Sequence, residues 1–195
     1  MFTFRNSILW LFLLRSSLAL SQTVLLPDRW LLKASDDSSF ANPAYNDSAW
    51  TSVNVPAWWE SEGLDWYDGI AWYRVHFDVP ARERDKELAL ALGKIDDADE
   101  TYLNGVLIGS TGRFPPDSVT AYQEVRLYKI PRGLLKAKNI LAVRVYDMIG
   151  AGGIVFGPIG LYDGKSRKEE FDPPPGPKKS FYQLVTSNGL IAAVY

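Results

Sequence analysis

Ile70-Ala71-Trp72-Tyr73-Arg74-Val75-His76-Phe77-Asp78-Val79 alternates without a break. Ala71, Tyr73, Val75, Phe77 and Val79 fall on one side; Ile70, Trp72, Arg74, His76 and Asp78 fall on the other. Successive side chains of a strand point to opposite faces, so a period of two with one apolar face marks a sheet packed on a core. Pro80 ends the run, because proline cannot donate to the ladder.

Outward from that strand the same signals recur. Leu88, Leu90 and Leu92 alternate with Ala89 and Ala91, and Gly93 closes the segment. Residues 101–103 and 106–108 flank Asn104-Gly105, a strong hairpin signal because both turn residues tolerate positive φ. Val125, Leu127 and Ile130 mark a strand stopped by Pro131, and residues 139–146 alternate again around Leu141, Val143 and Val145. Gly152-Gly153 and Gly157-Pro158 punctuate the approach to Leu161-Tyr162. Seven or more short strands with regular turns predict an all-β fold of two packed antiparallel sheets. Periodicity does not by itself separate a jelly roll from an immunoglobulin-like sandwich.

The chain has 195 residues, 47% hydrophobic and 23% charged, with a net charge of −2. That is enough for one domain with a substantial core, too apolar for a disordered chain, and without the basic surplus that captures nucleic acid. No cysteine is present, which excludes disulfides, thiolate metal sites and a Cys nucleophile. Seven Trp and ten Tyr are many for this length; in an all-β chain they serve either as core fillers or as stacking platforms for sugars.

The two ends differ in character from the middle. Arg5, an apolar run over residues 8–14 and Ala19-Leu20-Ser21 before Gln22 predict a secretory signal segment over residues 1–21, and hence export to the periplasm or the extracellular space. The run is shorter than the roughly 20 apolar residues of a membrane span, so none is expected in the mature form. One domain is expected over residues 22–163. Residues 164–179, charged and then proline-rich, predict a semi-rigid linker. Residues 180–195, with Ser187-Asn188-Gly189 between two apolar runs, predict a β-hairpin that either docks on this domain or opens a second one.

The leading candidates for ligand contact are Trp59, Glu60, Trp66, Tyr67 and Asp68, with Trp58 beside them. Sugars offer flat C–H faces to aromatic rings and hydroxyls to carboxylates, and this segment lies between strands, where binding residues gather. The competing expectation is that the tryptophans plug one end of the sandwich. Asp96, Asp97 and Asp99, with Glu100, are weak calcium candidates: oxygen ligands suit calcium, but the spacing is not that of an EF-hand. Alternation along a strand also favours an inward carboxylate paired with Arg74 or Arg144. Adjacent carboxylates on one strand do not provide the separated pair of a glycosidase. His76, the single histidine, sits mid-strand with no nucleophile motif, so no catalytic residue is assigned. The glycines at 150, 152, 153 and 157 are followed by Ile154-Val155-Phe156 and not by the Lys-Ser or Lys-Thr of a phosphate loop.

Several of these segments together resemble a known module. Val55-Pro56 with Trp59-Glu60, Tyr67-Asp68-Gly69 with Trp72-Tyr73-Arg74, residues 95–105 with Ile108-Gly109, and residues 139–147 before Gly152-Gly153-Ile154 are similar, in order and spacing, to the sugar-binding domain of family 2 glycoside hydrolases. The version carried by sialate O-acetylesterase-like proteins is the closest likeness, over about residues 28–162. The resemblance implies a jelly-roll, galactose-binding-domain-like sandwich in a carbohydrate-active protein. It implies an accessory role, with carbohydrate or an adjacent catalytic domain as partner, because in that family the catalytic glutamates lie on a barrel domain. The Gly-Asp-Ser and Asp-x-x-His motifs of the acetylesterases do not occur in this sequence. Two other expectations stand beside it: the N-terminal piece of an active glycosidase or acetylesterase, and a protein–protein adaptor using exposed aromatics.

Overall fold

The computed structural model describes residues 22–171. Its strands are β1 (Gln22–Leu25), β2 (Arg29–Ala34), β3 (Thr51–Asn54), β4 (Gly69–Asp78), β5 (Leu88–Asp96), β6 (Ala98–Leu103), β7 (Val106–Thr111), β8 (Val125–Lys129), β9 (Lys138–Asp147) and β10 (Gly153–Asp163). They form two antiparallel sheets, ordered β1-β10-β5-β8 and β3-β2-β4-β9-β6-β7. The expected two-sheet sandwich is therefore what the chain builds. Helix is confined to short turns, among them the 3-10 turn Trp59–Glu62. No helix of the described residues is long and apolar enough to cross a membrane. The predicted signal segment, the hairpin over 180–195 and residues 172–179 of the predicted linker lie outside the described residues.

The core follows from the alternation. Ala71, Tyr73 and Val75 of β4 pair with Val145, Val143 and Leu141 of β9, and all six turn inward. Leu88, Leu90 and Leu92 of β5 close the core from the other sheet, each burial contributing about 1.5–3 kcal/mol. At the β6–β7 hairpin, Asn104 (φ 50) and Gly105 (φ 85) take the left-handed backbone that their pairing predicts.

The outer face of β4 departs from a simple inside–outside pattern. Trp72 and Arg74 lie on the side opposite the main core, yet both are buried. Residues 36–50 cross this face and lay Phe40, Tyr45 and Trp50 over Trp72 as a second aromatic cluster. Arg74 anchors the strap: its Nε donates to Asp47 Oδ2 at 2.7 Å and its Nη1 donates to the Phe40 and Asn42 carbonyls. On the outer face of the four-stranded sheet, Phe171 packs edge-on against Tyr162 at 4.8 Å. The chain thus stays on the sandwich for the first residues of the expected linker.

Candidate functional site

The loops before β4, before β8 and between β9 and β10 meet at one end of the sandwich. Backbone bonds tie them to the strands: Trp59 N–H to the Gly152 carbonyl at 3.0 Å, Ala57 N–H to that of Ile154 at 2.9 Å, and Ala121 N–H to that of Asp97 at 2.9 Å. Beside them, on the four-stranded sheet, lies a groove of about 820 Å³ bordered by Trp58, Asp96, Tyr122, Phe156, Glu170 and Phe171. Trp58 and Phe156 meet edge-on at 5.8 Å, while Tyr122 and Phe156 present half their surface to solvent.

The five leading candidates take different positions at this end. Trp59 is 0% exposed, its ring turned into the main core, where no ligand reaches it without unpacking the end. Tyr67 packs edge-on against that ring at 5.6 Å and its hydroxyl donates to the Ile70 carbonyl at 2.8 Å. Glu60 Oε1 accepts from Gly152 N–H at 3.2 Å, and its Oε2 is buried with no hydrogen-bond partner. Asp68 Oδ1 accepts from Gly150 N–H at 3.1 Å and is otherwise exposed. Trp66 is 94% exposed and adopts φ 56, a backbone region that a bulky residue rarely occupies. Trp66 and Asp68 are therefore the open members of the set, and Trp58, Tyr122 and Phe156 join them from the groove. Tyr122 comes from the loop before β8 and Phe156 from β10, with no aromatic repeat to single them out.

The glycine pair after β9 has a steric purpose. A Cβ on Gly152 would stand 2.3 Å from the Trp59 ring, and one on Gly153 (φ +117) would stand 2.8 Å from the Tyr73 hydroxyl. Only glycine lets this loop close over the buried tryptophan.

The acidic stretch divides. Asp99, fully buried, accepts from Arg126 Nε at 2.9 Å, from the Tyr128 hydroxyl at 2.8 Å and from the Thr101 hydroxyl at 2.8 Å. Burial pushes its carboxyl up, and these donors oppose the push. Arg126 spends its other donors on the carbonyls of Ala121, Glu124 and Asp97. The inward carboxylate expected to pair with Arg74 or Arg144 thus pairs with Arg126. Arg144 instead takes Glu100 at 3.2 Å and Asp36 at 2.7 Å, and Arg74 takes Asp47.

Asp96 and Asp97 turn the other way and meet Asp147, at the end of β9. Each of these three offers an oxygen within 4.8 Å of the others. Asp97 accepts from the Thr120 hydroxyl and, at 2.8 Å, from Met148 N–H. Burial, then the neighbouring Asp97, pushes both Asp96 and Asp147 up to about 7. Of the calcium candidates Asp96, Asp97 and Asp99, the first two thus meet Asp147, and Asp99 points away into its pair with Arg126. His76 contacts Asp47 at 2.8 Å, but that carboxylate is already held by Arg74, so the pair anchors the strap.

Two antiparallel sheets packed on one core define a β-sandwich domain. The chain belongs to the family described as the beta-galactosidase second all-beta domain, whose model matches residues 36–150. No curated protein matches the chain. Among solved structures it is similar to a calcium-binding mutant of beta-glucuronidase 2 from Bacteroides uniformis, with TM-score 0.56, 23% identity, and coverage of 70% of this chain and 17% of that one. A beta-glycosidase from Bacteroides vulgatus gives TM-score 0.54, 24% identity, and coverage of 71% and 20%. Beta-glucuronidase from Bifidobacterium dentium, complexed with coumarin-3-O-glucuronide, gives TM-score 0.54, 23% identity, and coverage of 67% and 21%. At these identities the likeness is one of fold, and the chain spans about a fifth of each enzyme's length.

Proposed function

We propose that the chain is a non-catalytic module of an exported carbohydrate-active hydrolase, which contacts glycan and seats a neighbouring catalytic domain. The observation that carries this reading is the groove: the rings of Trp58, Tyr122 and Phe156 beside the carboxylates of Asp96 and Glu170 match a sugar's C–H faces and hydroxyls. Family membership supports the accessory role, and Trp66 and Ile149, 94% and 77% exposed at the same end, suit a seat for a second domain. Export rests on the signal pattern of residues 1–21. Within the family, the motifs around Tyr67-Asp68-Gly69 and residues 95–105 favour kinship with the sialate O-acetylesterase modules.

Titration of the protein and its Phe156→Ala, Tyr122→Ala and Trp66→Ala variants against a glycan panel tests the binding half. Saturable binding weakened about fivefold or more by Phe156→Ala is expected, since stacking on one ring contributes about 1 kcal/mol or more. Identical behaviour of all four proteins with every glycan leaves only the scaffold. Hydrolysis of a glycoside or an acetyl ester by the purified chain would overturn the non-catalytic reading.

A further inference from the structure

We propose that Asp96, Asp97 and Asp147 hold a calcium ion that ties together the loops at the groove end of the sandwich. Two oxygens bound to one calcium at about 2.3–2.6 Å lie no more than about 5 Å apart. The carboxylate oxygens of these three residues, all within 4.8 Å of one another, fit one coordination sphere. They come from the end of β5, the step into β6 and the end of β9, so the cluster is a product of the fold and not of one acidic run.

The second observation is independent of the spacing. Asp147 is 0% exposed; its Oδ1 accepts from Ile149 N–H at 3.2 Å, and its Oδ2 is sealed from solvent with no hydrogen-bond partner. A carboxylate oxygen left this way costs several kcal/mol unless a cation or a proton meets it. Glu60 Oε2, equally sealed and unpartnered, adds negative charge from the neighbouring loop, as does Asp68. Arg126, the near guanidinium, is engaged by Asp99 and three carbonyls. Oxygen-only donors, several carboxylates and adjustable loops suit calcium over the smaller magnesium, which demands near-ideal octahedral geometry.

The ion would act where the loops join. Asp97 already ties Thr120 to Met148, Asp147 holds Ile149, and Asp96 borders the groove. Bound calcium would fix the floor of the groove and the backbone of residues 147–152. Asp96 also borders the groove proposed for glycan, but calcium titrated in the absence of glycan reads the ion site alone, so either reading can fail without the other.

Protein stripped with a chelator and titrated with CaCl2 by calorimetry tests it, with the unfolding temperature followed in parallel. One calcium per chain is expected, with a Kd on the order of 10⁻⁵–10⁻³ M, a rise in Tm on saturation and at least tenfold weaker binding of magnesium. Asp96→Asn and Asp147→Asn should each weaken calcium binding at least tenfold, while Asp117→Asn, on the exposed loop, should leave it unchanged. If Asp147→Asn does not fold, Asp96→Asn at its half-buried position carries the comparison. No heat and no Tm shift up to about 10 mM calcium, ten times the weak end of that range, overturns the site. Unchanged affinity in the aspartate variants overturns it equally, because the ion then binds elsewhere.

Discussion

Asp99 and Arg126 are both closed to solvent, 2.9 Å apart, with their remaining atoms satisfied by Thr101, Tyr128 and three carbonyls. Removing one partner strands a charge in the core. Asp99→Ala should therefore cost about 3–5 kcal/mol in urea unfolding, whereas Asp99→Leu combined with Arg126→Met should cost clearly less than the sum of the single changes. Gly152 is constrained by volume and not by charge. A methyl group there meets the Trp59 ring and the Asp147 Cβ, so Gly152→Ala should destabilise by about 1–3 kcal/mol, with the near-ultraviolet spectrum of the buried tryptophan altered. Neither effect follows from residue type. Arg126 sits in a short strand whose sequence gives no sign of its burial. Asp147 lies 51 positions from Asp96 and joins it only through the pairing of β9 with β6 and of β10 with β5. The sequence showed which residues carry oxygen ligands; it did not show which of them meet.

The strands were legible because alternation is a local signal and prolines mark their ends. The strap over the six-stranded sheet was not. Phe40, Tyr45 and Trp50 follow no period, and nothing local announces that they will cover Trp72 and Arg74. Likewise Trp58 and Trp59 are adjacent, yet at the start of a 3-10 turn one faces the groove and the other the core. The strap should be sensitive to acid. Burial pushes the Asp47 carboxyl up, but hydrogen bonds from Arg74 and His76 outweigh it and hold the group below the ordinary carboxylate value. A folded-state pKa below the unfolded one gives stability that is complete above the unfolded value, about 4, and is lost as pH falls through the folded value. The urea midpoint should therefore drop below pH 4 in the wild type, with a shallower drop in Asp47→Asn.

Both sheets contribute to one continuous core, from Val24 of β1 to Leu161 of β10. With no second hydrophobic centre of comparable size among the described residues, unfolding should be a single transition, with far- and near-ultraviolet signals coinciding. Separate midpoints would mean that the strap or the groove loops melt ahead of the sheets. The candidate contact residues sit at one end, where loops from both sheets converge.

Trp66 offers a practical handle on that end. Trp30, Trp59 and Trp72 lie deep in the packing, while the Trp66 indole stands almost wholly in water. A soluble quencher such as iodide will reach Trp66 before those three. Whatever covers Trp66 itself, whether oligosaccharide or companion domain, will shield that fluorophore and report its own arrival as recovered emission.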